Sequence, residues 1–398
     1  MKKILLLGGS YGQIPAIKEA KRRNLYTILC DYLPDNPGRE FADEYHNVST
    51  TDIEAVLALS KKKNIDFIFA YISDPAVLTA ACVSEALGLR GNTPRSIKLL
   101  SRKDQFRALM KKNGFNTPEF IVSDKENIHT GLVSNLCFPV VVKPVDSSDT
   151  KGVHKIHSAD EFKKAANDAL SFSRVGKIII EEYVDADVAS LHGDAFIIDG
   201  KMKFCLLGDN LFFSYSNPLK PSTEIYPSRT PPATVKAVEE EVEKLIKLSE
   251  YENGAINIEA RVNSKNEIYI MEIGPRSGGT FTPQTIFNST GFDMLKASYD
   301  YLQAKKITVN SKKKINPAIN CVLHSNTSGI LKKIELDEKI TKFVVEKHLY
   351  AEKGDRVKSY SKANSNLGVI ILKFKNFKEV DNIIHNLYDR IVSGIVVE

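Results

Sequence analysis

The sequence predicts a mixed α/β and α+β protein. A parallel-sheet domain comes first, a larger α+β centre follows, and a small α+β region ends the chain. Three observations carry this. Before residue 95, short apolar runs alternate with amphipathic helical stretches, the pattern of a parallel sheet with crossover helices. From Val140 onward, strand-like runs are interspersed with helices, and the runs Ile256–Val262 and Ile268–Ile273 read as a β-hairpin. Two breaks divide the chain: the breaker-rich segment Gly88–Pro94, and the run Lys305–Lys314 with its five lysines. They give an N-terminal domain at 1–95, a central domain at 96–305 and a C-terminal domain at 306–398.

Taken in order, Ile4–Leu7 reads as a strand that runs through Gly8-Gly9-Ser10-Tyr11-Gly12 into the helix Ile14–Arg23. A second strand, Tyr26–Cys30, ends at Asp31; Phe67–Ala70 is a third, before a helix from Ala76 to Leu87. The centre opens with one helix, Ser96–Asn113. Strands follow at Val140–Lys143 and Ile178–Glu182, with helix Ala159–Ser171 between them, then at Ala195–Ile198 and Met202–Leu207. Asn217–Pro232 holds five prolines and reads as a long irregular loop, a kind of segment that often serves function. Helix Ala233–Ser249 follows. The last region carries strands at Asn320–Leu323 and Val369–Lys373 and a helix at Lys378–Ile391.

Composition narrows the function classes. The chain has 398 residues, 42% hydrophobic and 26% charged, and a net charge of +6. That charge is small for the length and gives nucleic acid little support; there is no tryptophan and no nucleic-acid motif. Five scattered cysteines, in no metal-type pair, read as reduced core thiols. With no signal peptide and no long apolar span, the expected setting is cytoplasmic, away from membranes. The early glycine turn, with Asp31 beyond it, imitates a dinucleotide fingerprint but lacks the G-x-G-x-x-G spacing. Glycines at a strand-to-helix turn answer equally to sterics. His154 and His157 read as ordinary strand residues.

The most informative stretch is Ile256–Gly279, whose runs Ile256–Val262 and Ile268–Ile273 flank the polar Asn263–Glu267 as a β-hairpin. With its centre between Lys265 and Asn266, Glu259 and Glu272 face each other. Like charges directly opposed destabilise a sheet, and a cation between them removes the penalty. Two carboxylates plus a phosphate suit Mg²⁺. The competing reading is a hairpin with two exposed glutamates, and a three-residue loop would break the pairing.

Five segments in register resemble the ATP-grasp superfamily. Ser101-Arg102-Lys103-Asp104-Gln105-Phe106 looks like its first helix, and Phe138–Pro144 like its lysine strand. Asp146–Val153 is similar to its phosphate-covering loop, and Ile180-Glu181-Glu182-Tyr183-Val184 to its adenine hinge. Glu259 and Glu272–Gly279 match its metal and substrate segments. The resemblance spans Lys103 to Gly279. It implies a Rossmann-like N-terminal domain, a two-lobed ATP-grasp fold and a small C-terminal α+β region.

It also implies roles. Lys103 and Lys143 would balance phosphate charge, and Ser147, Ser148, Lys151 and Gly152 would cover the phosphates. Glu181 would accept from the adenine amine, the backbones of Glu182 and Val184 would read the ring edge, and Asp187 would hold the ribose. Glu259 and Glu272 would bind Mg²⁺, with Mn²⁺ an alternative. Arg276, with Ser277, Gly278 and Gly279, would hold the substrate carboxylate or the forming phosphate. Its planar fork suits that work. One departure stands out: the family commonly has an asparagine metal ligand where this chain has Gly274, for which Asn257 or a water would substitute.

The implied activity is ATP-dependent joining of a small-molecule carboxylate to an amine through an acyl phosphate, as in L-amino-acid ligases and purine-pathway members of the family. The assembly state is open, a homodimer included. Alternatives are a carboxylase or purine-type ligase on the same fold, a nicotinamide-dependent oxidoreductase, and an ATP-binding protein without turnover.

Overall fold

The computed structural model describes residues 1–148, 150–212, 223–309, 314–359 and 365–398. Asp149 of the phosphate loop, residues 217–222 of the proline-rich segment (Pro218 and Pro221 among them) and residues 310–313 of the lysine run lie outside the described residues.

The N-terminal sheet holds β1 (Lys3–Leu7), β2 (Tyr26–Asp31), β3 (Glu44–Asn47) and β4 (Phe67–Phe69), all parallel, in the order β3-β2-β1-β4. Ile4, Leu5, Leu6 and Leu7 are all buried. A strand covered on both faces reads as a continuous apolar run, which is why β1 was legible. Helices α1 (Ile14–Arg22) and α2 (Ile53–Lys63) connect β1 to β2 and β3 to β4, and α3 (Asp74–Leu87) follows β4.

The expected single helix Ser96–Asn113 is two: α4 (Pro94–Ser101) and α5 (Lys103–Lys112). Arg102 between them takes an extended conformation and pairs with Asp104. The break makes Lys103 the first residue of α5, with its N–H on the Val145 carbonyl at 2.9 Å. Helical periodicity runs through the pair unbroken, so the sequence did not announce the break.

A small antiparallel sheet follows: β5 (Phe120–Asp124), β6 (Val140–Pro144), β7 (His154–Ile156) and β8 (Lys177–Glu182), ordered β5-β8-β6-β7. Helix α6 (Phe162–Ser171) lays Phe162, Ala165, Ala166 and Ala169 onto Val140, Val142, Ile178 and Ile180.

The large sheet begins with β9 (Ala189–Ile198), β10 (Lys201–Leu211) and β11 (Thr223–Tyr226). β11 corrects the expected irregular loop: it is buried throughout and pairs with both neighbours. Prolines bracket Thr223–Tyr226 without entering it, as proline is tolerated at strand ends. Then come α7 (Pro232–Ser249), β12 (Gly254–Val262), β13 (Ile268–Gly274), α8 (Thr282–Thr290), α9 (Met294–Leu302), β14 (Ala318–His324), β15 (Gly329–Ile334), α10 (Glu338–Thr341), β16 (Val344–Leu349), β17 (Arg356–Val357) and β18 (Asn366–Lys373). The order β13-β12-β9-β10-β11-β14-β18-β16 makes one antiparallel sheet that continues across residue 305 into the C-terminal region. The expected helix Lys378–Ile391 is two, α11 (Phe377–Ile384) and α12 (Leu387–Ser393), before β19 (Ile395–Val397).

Two ties position the site. Tyr299 of α9 donates to the Ala16 carbonyl at 2.6 Å, and Arg23 pairs with Asp300 at 2.8 Å, fixing the N-terminal domain on the centre. Arg107 of α5 joins the two sheets. Its Nε donates to Glu181 of β8 at 2.8 Å, and its Nη1 and Nη2 donate to the Ile270 and Met271 carbonyls of β13 at 3.1 and 2.9 Å. Of the five free cysteines Cys137 is exposed, against the expectation that all are core thiols.

Candidate functional site

The glutamate pair forms by a route the sequence did not show. Near the turn the register is Val262↔Ile268, Arg261↔Tyr269 and Ala260↔Ile270; a shift follows, and Glu259 pairs with Glu272. The turn has an odd number of residues, so a regular ladder would set Glu259 against Met271. A β-bulge places Met271 as the extra residue and restores the pairing. Arg107 binds the carbonyls of Ile270 and Met271, two consecutive residues on the outer edge of β13. In a regular strand those carbonyls point to opposite sides; at the bulge one fork collects both. The fork of a buried arginine thus rests on the very distortion that aligns the carboxylates.

Around the pair, Lys103 Nζ lies 3.3 Å from Glu272 Oε2 and donates to the Ser147 carbonyl at 3.0 Å, linking the acids to the loop. Burial works to lower the Lys103 pKa, but Glu272, Asp74 and Glu259 outweigh it and raise it. Although Glu259 reaches solvent at the cleft, its carboxyl is pushed up, by desolvation first and then by Glu272. A carboxylate that resists ionisation beside its neighbour is the condition a divalent cation relieves, so the donor set fits Mg²⁺ with phosphate oxygens completing the shell. Among the described residues no cluster of three or more His, Cys, Asp or Glu side chains that could hold a metal exists.

Lys143 and Glu181 are drawn together more tightly than expected. Lys143 Nζ is 2.6 Å from Glu181 Oε2, while Arg107 takes Oε1. Burial alone would raise the Glu181 carboxyl; Arg107 and Lys143 outweigh it and hold it at about 2. Lys143 is lowered, chiefly by burial, with Arg107 and Lys103 adding to it against Glu181. Both carboxylate oxygens of Glu181, the residue expected to accept from an adenine amine, are engaged by the two cations. Glu182 likewise spends its N–H on the Glu119 carbonyl at 3.0 Å and its carboxylate on the Cys137 N–H at 2.8 Å. The Val184 carbonyl accepts from Arg261, whereas its N–H has no backbone partner among the described residues. Tyr183 beside it carries Lys155 Nζ 3.4 Å from its ring centre. Asp187 is exposed and makes no hydrogen bond or ion pair among the described residues.

In the loop, Lys151 and Val153 donate their N–H groups to the Ser148 and Thr150 carbonyls. Ser147 and Ser148 are half-buried, and Lys151 is exposed. Gly152 has φ +68°, and a Cβ there would stand 2.8 Å from Phe172. The glycine lets the loop lie against the end of α6.

Arg276 is held by Asp74 of the N-terminal domain. Its Nε and Nη2 donate to Asp74 Oδ1 and Oδ2, each at 2.7 Å, and its Nη1 donates to the Ser277 carbonyl at 3.0 Å. Burial opposes its charge, but Asp74 and then Glu272 raise its pKa. Gly274 explains the geometry: a Cβ there would lie 3.1 Å from both Arg276 Cζ and Asp74 Oδ1. The space an asparagine would fill belongs to this ion pair. Asn257, opposite Gly274 in register, donates its Nδ2 to Asp194 at 2.7 Å and to the Gly193 carbonyl at 3.1 Å, and its Oδ1 lies 3.3 Å from His192 Nε2. Ser277 is buried, Gly278 donates its N–H to Asp194 at 2.9 Å, and Gly279 faces open space. Thr280 and Phe281 then take positive φ in succession, +55° and +57°, strained backbone of the kind that gathers at functional sites.

Sequence reading missed a buried polar network on the same face. His192, in register with Glu259, sets Nδ1 3.2 Å from Glu224 and 3.1 Å from the Tyr226 hydroxyl, with Nε2 3.3 Å from Asn257 Oδ1. Burial opposes protonation of His192, but Glu224, Glu259 and Asp194 hold it up at about 9. Burial pushes Asp194 up to about 6. Gly208 lies between His192 and Tyr226 in register order, and a Cβ there would meet the Tyr226 ring at 2.7 Å. The signal was present: His192 and Asp194 alternate at period two in a buried apolar strand. Asp74 had one too, at the carboxyl end of a parallel strand, where open α/β sheets place ligands. Arg107 had none.

The early glycine turn is closed by its own chain. Asp31 accepts the Gly9 N–H at 2.7 Å, and Asn36 Oδ1 sits where a Gly9 Cβ would point. That carboxylate and that space are the ones a dinucleotide requires, so the oxidoreductase reading loses its motif.

Comparisons with known proteins agree with this geometry. Residues 136–284 match the ATP-grasp domain family. A formate-dependent phosphoribosylglycinamide formyltransferase of Synechococcus sp. (strain CC9311) is 31% identical over 208 residues, 51% of this chain and 53% of that protein. The chain thus spans about half the length of the curated relatives it matches. Among solved structures, an L-amino acid ligase from Bacillus licheniformis superposes with TM-score 0.82 at 20% identity, covering 100% of this chain and 99% of that one. The biotin carboxylase domain of a Hydrogenobacter thermophilus 2-oxoglutarate carboxylase, in complex with MgADP, ADP and bicarbonate, gives 0.77 at 17% identity, covering 99% and 91%. At these identities the structures show a shared fold.

Proposed function

We propose that this chain, a member of the ATP-grasp superfamily, is an ADP-forming ligase that joins a small-molecule carboxylate to an amine through an acyl phosphate. The observation that carries the reading is the Glu259–Glu272 pair, in register on one face and linked by Lys103 to the Ser147 loop.

Glu259 and Glu272 would hold Mg²⁺, or Mn²⁺ with the same oxygen donors, and the ion supplies charge neutralisation at the nucleotide phosphates. Lys103 and Lys143 add compact positive charge on the protein's side. Ser147, Ser148, Lys151 and Gly152 would border the phosphates, and the free N–H of Val184 would read the adenine edge. Arg276 would hold the substrate carboxylate beside the acids. One carboxylate oxygen attacks the γ-phosphorus as the bond to the β-phosphate oxygen breaks, giving acyl phosphate and ADP. The amine then attacks the acyl carbon, the carbon–oxygen bond to phosphate breaks, and the amine proton is lost to give an amide. The protein's share is positioning and electrostatic stabilisation.

One relative favours a second reading on the same site. The name of the curated relative specifies formate, which would make formate the acid and a phosphoribosyl amine the nucleophile. A cytoplasmic setting belongs to the proposal, and no helix among the described residues is long and apolar enough to cross a membrane. A homodimer is also compatible with it. The test is a grid of acids and amines scored for ADP release, with hydroxylamine added to trap acyl phosphate as hydroxamate. Acid-dependent ADP and hydroxamate support the ligase; ATP–Mg²⁺ binding without acid-dependent ADP from any acid would leave an ATP-binding protein without turnover.

A further inference from the structure

We infer that Asp74 selects the acid substrate, and that the class it selects is the zwitterionic α-amino acid, with carboxylate on Arg276 and ammonium on Asp74. The inference rests on the ligase reading for its place in the reaction, and on the Asp74–Arg276 geometry for its chemistry.

The pair is bidentate, and its side chains are only 19% and 12% exposed. It spans two domains. Asp74 is the first residue of α3, while Arg276 lies four residues beyond the metal-type Glu272. Gly274 leaves the room in which both groups lie over β13. Asp74 is close enough to Lys103 to raise its pKa, so the carboxylate belongs to the same electrostatic field as Glu259 and Glu272.

A substrate carboxylate that binds the Nε–Nη2 edge of Arg276 takes the place of Asp74 there. The cost of that displacement depends on the rest of the substrate. A plain carboxylate, formate included, would leave Asp74 ionised near two further carboxylates with its bidentate partner gone. Removing one partner of a largely buried charged pair costs far more than an exposed pair is worth. An α-amino acid brings the missing cation, one carbon from its carboxylate. It exchanges one ion pair for two and leaves the net charge of the cleft unchanged. The site is thus built to accept a zwitterion and to penalise a simple anion, by a residue that lies outside the matched domain segment 136–284.

The experiment measures binding apart from turnover. Wild type, Asp74→Asn and Asp74→Ser are titrated with the twenty L-amino acids and their des-amino carboxylates, in the presence of Mg²⁺ and a non-hydrolysable ATP analogue. Thermal stabilisation by the analogue reports that each variant is folded. The expected result is that wild type binds at least one amino acid about tenfold or more tightly than its des-amino partner, the scale of one charge-assisted contact, and that both variants lose the preference. Equal binding of the two partners by wild type would overturn the inference, as would a preference retained in both variants. Formate- or bicarbonate-dependent ADP release with no amino acid bound would overturn it and leave the ligase reading standing. A preference that depends on Asp74, with no acid-dependent ADP from any acid, would support the assignment of Asp74 and overturn the ligase reading.

Discussion

Arg107→Met should be the most damaging single change outside the cleft itself. The substitution keeps most of the apolar stem and removes the guanidinium. Four hydrogen bonds disappear: one to Glu181, two to the carbonyls of Ile270 and Met271, and a weak one to Met110 Sδ. Arg107 is 1% exposed and Glu181 also 1%, so solvent does little to compensate. Breaking a buried pair by removing one partner costs about 3–5 kcal/mol. Each abandoned carbonyl adds about 1–3 kcal/mol where no water reaches it. The sum is a large share of the roughly 5–15 kcal/mol that holds a typical protein folded. Lys143 remains beside Glu181, which keeps the loss toward the lower end. Urea denaturation of wild type, Arg107→Met, Glu181→Gln and the double variant measures the effect. The double variant should recover about 2–3 kcal/mol of coupling, because the stranded carboxylate is then gone. The pH profile gives a second reading. Glu181 is held at about 2, below its ordinary 4.5, so its contribution is present above pH 4.5 and lost as pH falls toward 2. Without Arg107 the folded-state value rises, and that acid-sensitive share shrinks. A cost under about 1 kcal/mol would refute the reasoning, as would a double variant no more stable than the sum of its singles.

Three further outcomes are expected. Glu272→Gln should abolish the thermal stabilisation that Mg²⁺–ATP confers on wild type while leaving the unliganded protein close to normal, since it removes both a repulsion from Glu259 and a partner of Lys103; equal nucleotide-dependent shifts in the two proteins would exclude the metal assignment. Lys143→Ala should stop hydroxamate formation in the hydroxylamine assay and also destabilise the fold, because Glu181 loses a contact of 2.6 Å; near-normal hydroxamate yield would remove Lys143 from the phosphate site. Gly208→Ala should cost about 1–3 kcal/mol by overpacking, since the new Cβ would run into the Ile225 carbonyl and stand 2.7 Å from the Tyr226 ring; an unchanged denaturation midpoint would show that the strand relaxes freely.

The local chemistry of this chain was legible from its sequence. Apolar period and composition located three of the four parallel strands, the lysine strand and the hairpin, because those signals are local and a strand buried on both faces must be apolar throughout; β3 (Glu44–Asn47), polar and only half-buried, carried no such signal. The motif spacing from Lys103 to Gly279 carried the resemblance to the ATP-grasp superfamily, whose domain model matches residues 136–284, and the hairpin brought out the pair Glu259 and Glu272. What tertiary structure decided was who holds whom. The carboxylates face each other through a bulge at Met271 whose carbonyls Arg107 binds from another element, and no local pattern encodes that. Glu181 pairs with Arg107 and Lys143, because a buried carboxylate takes the nearest positive charges the fold supplies. The break at Arg102, the strand Thr223–Tyr226 and the sheet that continues past residue 305 all depend on neighbours distant in sequence. Asp74 and Arg276, 202 residues apart, meet only because Gly274 leaves room for both. Sequence names the groups available for chemistry, and long-range packing, which sets distance and desolvation, selects their partners.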